Sequence, residues 1–476
     1  MKTLLIRPPI SSNRKDSSKS SILKAYFVGH ELELGLLYIA SYLESKGKEV
    51  RFFDMSLYDN PYPKLEKILK DFKPDIIGLT AYINSVVSSQ QVAKFVKDNS
   101  KAYVVIGGAH ASTLPIDTLK DCNYFDFVVV GDGEYVILDL IESLERGLSF
   151  KKVKSLAYRE GSEIKVNPIR EPIKDLDKLP FPARHLTEFE KYIPPLGNYH
   201  KLPSAALVTA RGCPYHCTFC ARADVKYKRM LRLRSVDNVL AEMKHCMDKY
   251  NTYDFRFYDD TFVVPKSRLI EFCEKVIEKK WKISWNSYAR VDAVDEKLLK
   301  LMRKSGCYHL KYGIEVGSDE WLKKVKKGIT VEQAKKTIKL TKKMGIATKA
   351  SFIIGLPDEK VEDIERTIKL AKKMSPTYAA FTILHPLPGS EMFNDAVNNG
   401  QLLHRRWDEY FQKSSKILSN QLDIETLQRL TKKAYRQVYF SPKYILTRLN
   451  YLIRNFNYIE FKNNFIGLKI LLEGIL

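Results

Sequence analysis

The chain has 476 residues, with 79 Lys and Arg against 56 Asp and Glu, a formal net charge of +23. At roughly 100–200 residues per domain this length predicts two or three domains, and 45% hydrophobic with 11% aromatic content excludes a disordered chain. No apolar run approaches the ~18 residues of a membrane span. The strand-like Thr3–Ile6 at the start leads us to expect no signal peptide, and seven cysteines, an odd number, do not suggest a disulfide scaffold. The expected location is a reducing cytoplasm.

Residues 1–150 carry 18 basic and 19 acidic side chains, net −1. Residues 151–400 carry 48 and 31, and residues 401–476 carry 13 and 6. A neutral first domain is thus followed by a basic second domain and a basic tail. That balance suits an anionic partner, whether nucleic acid, a membrane surface or a phosphorylated substrate, and equally a lysine-rich solvated surface.

In chain order, strand-like runs at Thr3–Arg7, Val50–Phe53, Ile76–Thr80, Tyr103–Ile106 and Phe127–Val130 alternate with helical stretches at Leu34–Ser45, Leu65–Phe72, Val86–Lys97 and Tyr135–Glu145. This α/β alternation predicts a doubly wound, Rossmann-like domain over 1–150, with its ligand at the carboxyl ends of the strands. Two of those ends are glycine-rich: Gly107-Gly108-Ala109-His110 and Gly131-Asp132-Gly133-Glu134. Residues 151–202 read as a connector, a hairpin across Glu160-Gly161-Ser162 followed by a strap containing Pro172, Pro180, Pro182, Pro194 and Pro195.

From Ala205 the alternation resumes. Strands are expected at Ala205–Ala210, Phe255–Tyr258, Ile283–Tyr288, His309–Ile314, Thr348–Ile354 and Tyr378–Leu384, with helices between them. Six such units predict a (βα)6 partial TIM barrel over 203–390, with chemistry at the strands' carboxyl ends. Residues 391–476 read as a basic, aromatic-rich helical region. Its stretches Tyr435–Leu446 and Phe465–Leu472 mix apolar and basic residues. Such helices lie on an anionic membrane surface or pack against the barrel with basic stems outward, and packing is the favoured expectation.

Cys213, Cys217 and Cys220 stand in CxxxCxxC spacing directly after the first barrel strand. Three thiolates on one short loop can converge on a [4Fe-4S] cluster and leave one iron open. A structural zinc site would need a second ligand pair, which is missing. Cys122, Cys246, Cys273 and Cys307 are scattered and read as buried structural thiols.

This cysteine motif, with an aromatic residue before its last member, resembles the signature of the radical S-adenosylmethionine (SAM) enzymes. Later strand ends resemble further motifs of that family. The resemblance implies that Asp259 and Asp260 lie near the methionine amino group, that Glu315 contacts the ribose, that the strand ending at Gly355 runs beside the adenine, and that Pro388-Gly389-Ser390 forms the closing turn. The neutral first domain resembles the cobalamin-binding domain of the cobalamin-dependent branch. That implies corrinoid contacts from Gly107, Gly108, His110, Gly131, Gly133 and Glu134. None of the nine histidines follows an Asp at two positions' distance, so the Asp-x-His-x-x-Gly ligand of the best-known cobalamin domains is missing.

The resemblance implies an enzyme that uses a [4Fe-4S] cluster to cleave SAM to a 5′-deoxyadenosyl radical, with cobalamin as the second cofactor. The leading outcome is methylation of an unactivated carbon of a small-molecule or lipid-like substrate. Alternatives are radical ring formation or oxidation of the anaerobic tetrapyrrole cyclase type, RNA modification, and a non-catalytic cobalamin sensor or carrier. Expected partners are the substrate and an electron donor such as flavodoxin or ferredoxin. The basic tail leaves open a peripheral position at the inner face of the membrane, and nucleic acid is not favoured. Trp285, Tyr288, Tyr312 and His385 are candidates for the barrel mouth, where aromatic residues are as often core.

Overall fold

The computed structural model describes residues 1–9, 29–195, 197–221, 230–401, 407, 410, 422–454, 461 and 466. Two sheets organise them. The first contains β1 (Thr3–Arg7), β2 (Val50–Asp54), β3 (Ile76–Thr80), β4 (Tyr103–Gly107) and β5 (Phe127–Val129), all parallel, in the order β2-β1-β3-β4-β5. Every residue of β3 is buried, as expected for a parallel strand covered on both faces. The covering helices are α1 (Leu34–Ser45), α2 (Tyr62–Phe72), α3 (Val86–Asn99), the short α4 (Gly108–Thr113) and α5 (Pro115–Lys120), and α6 (Gly133–Glu145).

The connector expected over 151–202 begins inside this sheet. Its hairpin, β6 (Leu156–Glu160) and β7 (Glu163–Val166), pairs antiparallel with β5 and makes the sheet seven-stranded. Without it β5 would be an open edge of unpaired backbone groups. The strap proper starts after Val166 and contains three 3-10 turns, at Leu176–Lys178, Arg184–Leu186 and Phe189–Lys191.

The second sheet is six-stranded and parallel. Its strands run in chain order as β8 (Ser204–Leu207), β11 (Asp254–Phe257), β12 (Ser284–Ala289), β13 (Cys307–Glu315), β14 (Ala347–Ile354) and β15 (Tyr378–Ile383). Between β8 and β11 a two-stranded ribbon, β9 (Ala210–Arg211) with β10 (Arg232–Leu233), pins both ends of the cysteine loop. The helices are α7 (Val236–Tyr250), α8 (Lys266–Glu278), α9 (Glu296–Lys304), α10 (Asp319–Lys324), α11 (Val331–Lys343) and α12 (Val361–Met374). Sequence caps mark their starts. Ser235 accepts from Asn238 N–H at 3.1 Å, and Thr330 and Gln333 form a capping box.

Trp285 and Tyr312, candidates for the barrel mouth, belong to the core on the helix side. Trp285 is fully buried among Phe257, Phe262 and Phe272, and Tyr312 is hydrogen-bonded to Thr341 of α11. Strand residues alternate faces, so the opposite set (His309, Lys311 and Gly313 on β13) faces the concave side, and the register shifts between Gly313 and Glu315.

Each edge of this open barrel is closed by side chains. At β15, the tail helix α14 (Ile424–Tyr439) aligns its tyrosines with the unpaired backbone. Tyr439 Oη accepts from Ala379 N–H at 3.0 Å, and Tyr435 Oη accepts from Phe381 N–H at 3.2 Å. At β8, Arg184 donates to Ala206 C=O at 2.7 Å and Arg234 to Val208 C=O at 3.1 Å. Both guanidiniums pair with the fully buried Glu242, so neither charge is stranded. The remaining tail helices are α13 (Glu391–Asn398) and α15 (Pro442–Arg454). Of the tail stretches singled out above, Phe465–Leu472 lies outside the described residues except Ile466. Among the described residues no helix is long and apolar enough to cross a membrane. One apolar cluster runs from Ile6 and Ile77 of the first sheet and Leu37 of α1 to Leu207, Phe257 and Leu310 of the second sheet.

Candidate active site

The carboxyl ends of the two sheets share one cavity of about 1040 Å³. On the first-domain side it is lined by both glycine-rich turns, which follow β4 and β5. On the barrel side it is lined by Arg211, Gly212, Tyr258, Asp260 and Pro388.

The first-domain wall is shaped by backbone that only glycine allows. Gly108 has φ +91°, and a Cβ there would sit 2.6 Å from Thr80 Oγ1 and 2.8 Å from Ala81 O. Gly131 has φ +83° and open space where a side chain would be. Its N–H donates to Ser112 Oγ at 3.0 Å, which ties the two turns together. Gly107 closes β4, and Gly133 opens α6 against Ile39. His110 lines the cavity, is 3% exposed, and among the described residues has no hydrogen-bond partner on either ring nitrogen. Burial pushes its imidazole down to about 4, so it is neutral at pH 7. The edge of Trp407 rests on it at 4.6 Å. A large cavity at the strand ends, a glycine wall and a buried ring with unused nitrogens fit a corrinoid better than a small nucleotide.

Glu134 departs from expectation. Its carboxylate is 2% exposed and is held by Arg211 of the barrel at 2.5 Å. Arg211 also pairs with Asp132 at 2.9 Å, and Arg232 pairs with Asp132 from the facing ribbon strand. These four charges clamp the first domain to the ends of the cysteine loop. Sequence reading missed the clamp because its members are about 80 to 100 residues apart and no local pattern links them.

The cysteine loop follows β9. Cys213 and Cys217 are partly exposed, Cys220 is exposed, and none is in a disulfide. Cys220 N–H donates to Cys217 C=O at 3.2 Å, a tight turn. Thr218 N–H donates to Val325 C=O at 3.1 Å and Met392 N–H to Thr218 C=O at 3.1 Å, which ties the loop to α10 and α13. Burial raises the Cys217 thiol, while Lys327 and Arg290 pull it back down. Arg290 lies over the Tyr215 ring at 3.6 Å. Among the described residues no group of three or more His, Cys, Asp or Glu is gathered tightly enough to hold a metal ion. The thiols share a loop without converging. Three soft donors on one anchored turn, flanked by two cations that favour thiolate, still suit an iron–sulfur cluster, because a metal supplies the drive for its ligands to converge.

The expected SAM residues divide. Asp260 lines the cavity. Asp259, in contrast, is 2% exposed and faces inward, accepting from Thr209 N–H at 2.6 Å, from Thr209 Oγ1 and from Ala210 N–H at 3.1 Å. It holds the strand end that launches the cysteine loop, so it is a positioning residue. Glu315 has φ +73° and bonds Lys327 Nζ at 2.6 Å, close enough to Cys217 to affect its thiol. Gly355 has φ +86°, and its N–H donates to Glu359 at 2.7 Å. Its missing side chain leaves room for Leu427 of α14, 3.0 Å from where a Cβ would be. Cys307 is fully buried, which pushes its thiol well up and leaves it no part in the site.

The family model for the radical SAM superfamily matches residues 207–371, and that for the B12 binding domain matches residues 20–141. An uncharacterised methyltransferase of Pyrococcus horikoshii is 33% identical over 447 residues, 94% of each chain. The anaerobic magnesium-protoporphyrin IX monomethyl ester cyclase of Rubrivivax gelatinosus is 32% identical over 367 residues, 75% of this chain and 65% of that one. The radical SAM methyltransferase TsrM of Kitasatospora setae, solved with cobalamin and a [4Fe-4S] cluster, shares the fold with a TM-score of 0.67 at 19% identity, over 84% of this chain and 75% of that one.

Proposed function

Because this chain belongs to the radical SAM superfamily, in the branch that carries a B12-binding domain ahead of the radical SAM domain, we propose that it methylates an unactivated carbon of a small-molecule or lipid-like substrate. The observation that carries the reading is the shared cavity. It sets the glycine wall of one domain opposite the strand ends and cysteine loop of the other. When bound, the cluster with SAM supplies a hydrogen-abstracting radical and cobalamin a transferable methyl group.

The chain's own residues hold, orient and shield. Cys213, Cys217 and Cys220 are the cluster ligands in this reading, with Lys327 and Arg290 pulling the Cys217 thiol down against its burial. Asp260, Glu315 and the backbone at Gly355 hold SAM. Asp259 keeps the loop's launching strand in place, and Lys327 fixes the Glu315 carboxylate. Gly107, Gly108, Gly131, Gly133 and His110 form the corrinoid wall, and Glu134 acts through Arg211. Apolar residues such as Leu5, Ile39 and Val105 line the cavity and keep water from a radical site. An electron donor of the flavodoxin or ferredoxin type is the expected partner.

The test is anaerobic reconstitution with iron, sulfide and cobalamin, followed by methyl-deuterated SAM, reductant and cell extract. The expected result is 5′-deoxyadenosine together with label in one small-molecule or lipid fraction. Absence of 5′-deoxyadenosine refutes the enzyme. A second reading, ring formation or oxidation, is favoured by the cyclase named among the relatives. It gives 5′-deoxyadenosine with no transferred label.

A further inference from the structure

The concave face of the second sheet holds two lysines with no partner. Lys311 on β13 and Lys349 on β14 are register partners, so their side chains leave the same face about 5 Å apart at the Cβ atoms. Lys311 is 3% exposed, and Lys349 is half-buried. Neither makes a hydrogen bond or ion pair among the described residues. The neighbours of the Lys311 ammonium are the rings of Tyr288 at 5.0 Å and Tyr258 at 5.8 Å.

Nearby carboxylates are already engaged. Glu31 is held by Arg256 and Tyr258. Asp254 accepts from Ser204 and Ser284, each at 2.6 Å. Glu315 is held by Lys327. Burial, together with Lys349 and Arg256, lowers the Lys311 ammonium to about 7. A buried ammonium without a counter-ion is costly, and two side by side repel. A third group adds to the picture. His309, two residues before Lys311 on the same face, is 2% exposed. Its Nδ1 bonds Gly197 C=O at 2.9 Å, and its Nε2 has no partner. Tyr288, whose ring lies by the Lys311 ammonium, is 40% exposed, and Tyr258 on its other side lines the shared cavity.

We propose that Lys311 and Lys349, with His309 beside them, form an anion site on the concave face that takes a carboxylate or phosphate group of the substrate. This rests on the reading above and deepens it, because the substrate becomes an anionic small molecule anchored beneath the cofactor-facing strand ends. The alternative source of an anion is the methionine carboxylate of SAM, which the resemblance places at the cluster. Lys311 lies four residues below Glu315, about 13 Å along the strand, so the substrate is the better match.

The test uses the reconstituted full-length enzyme and isothermal titration with inorganic phosphate, acetate and SAM, in parent, K311M, K349M and the exposed-lysine control K339M. The expected result is one saturable site for phosphate or acetate in the parent. Its affinity falls at least about tenfold in K311M and K349M, is kept in K339M, and is largely restored in K311R, while SAM affinity stays within about twofold throughout. K311M should melt at or above the parent temperature, because removing an unpaired ammonium strands no other charge. Equal anion affinity in all variants means an adventitious ion only and overturns the proposal. So does a loss of SAM affinity that parallels the loss of phosphate, which assigns the pair to SAM. A K311M protein that melts well below the parent shows that the ammonium is paired, with the same consequence. Failure of the enzyme reading is scored separately, by absence of 5′-deoxyadenosine from the parent.

Discussion

The two walls of the shared cavity are built in different ways. Among the described residues, the first-domain wall is set by local backbone. Gly108 and Gly131 hold left-handed backbone, Ser112 ties the two turns, and His110 is fixed and neutral. The barrel wall is anchored without being assembled. The β9–β10 ribbon, Val325 and Met392 fix the cysteine loop, yet its thiols do not form a metal-binding group. The difference follows from what each wall is made of. Turns at strand ends are set by the sheet and by glycine conformation. Thiols gain from converging only when a metal offsets the repulsion of their thiolates.

Four experiments break or sharpen that contrast, in falling order of effect. Cys217→Ser should abolish the four-iron absorption and 5′-deoxyadenosine formation while leaving cobalamin binding intact. If cobalamin binding is lost as well, the two walls are not independent. Arg211→Gln comes next, because it leaves the buried Glu134 without its cation at the domain junction while Asp132 keeps only Arg232. Denaturant unfolding should show a loss of about 3 kcal/mol, and a loss below 1 kcal/mol would mean that the clamp is solvated.

The third concerns His110. Its ordinary value is 6.5 and burial holds it near 4, so the unfolded chain takes up the proton more readily. Stability from this group is full above about pH 6.5, declines as pH falls toward 4, and levels off below. The total loss is about 3 kcal/mol. His110→Phe should flatten that part of the pH–stability curve, and an unchanged curve would show that the ring titrates normally. The smallest effect is Tyr439→Phe, which removes the hydroxyl that serves both the N–H and the C=O of Ala379 on the β15 edge. A loss of about 1 kcal/mol in thermal or denaturant unfolding is expected, with cluster and cobalamin binding unchanged.

Much of this was legible beforehand where the signal is local. The parallel strands and the principal helices between them follow from hydrophobic periodicity, and the strand ends that line the cavity follow from their glycines. Readings that needed direction failed or stayed open. For Trp285 and Tyr312 the sequence leaves mouth and core both open, and the structure turns both to the helix layer. Asp259 and Asp260 are adjacent on the turn after β11, and that turn sends one inward to Thr209 and the other to the cavity. The hairpin at 156–166 was read correctly as a hairpin and wrongly as a linker, since nothing local says which edge it will cover.

One signal was available and unused. On β13 the residues His309, Lys311, Gly313 and Glu315 alternate with Tyr308, Leu310, Tyr312 and Ile314. In a parallel strand that breaks the usual apolar run, and it marks a polar concave face.

The sequence by itself determined the order of elements, the glycine turns and the three-cysteine loop, because each depends on neighbours within about ten residues. Only the tertiary structure decided the Asp132–Glu134–Arg211–Arg232 clamp, the closing of β8 by arginines and of β15 by tyrosines, and the unpartnered pair Lys311 and Lys349. Those depend on which distant charges and hydroxyls arrive at a given backbone edge or buried face. Burial makes such encounters energetically decisive, and no local pattern encodes them.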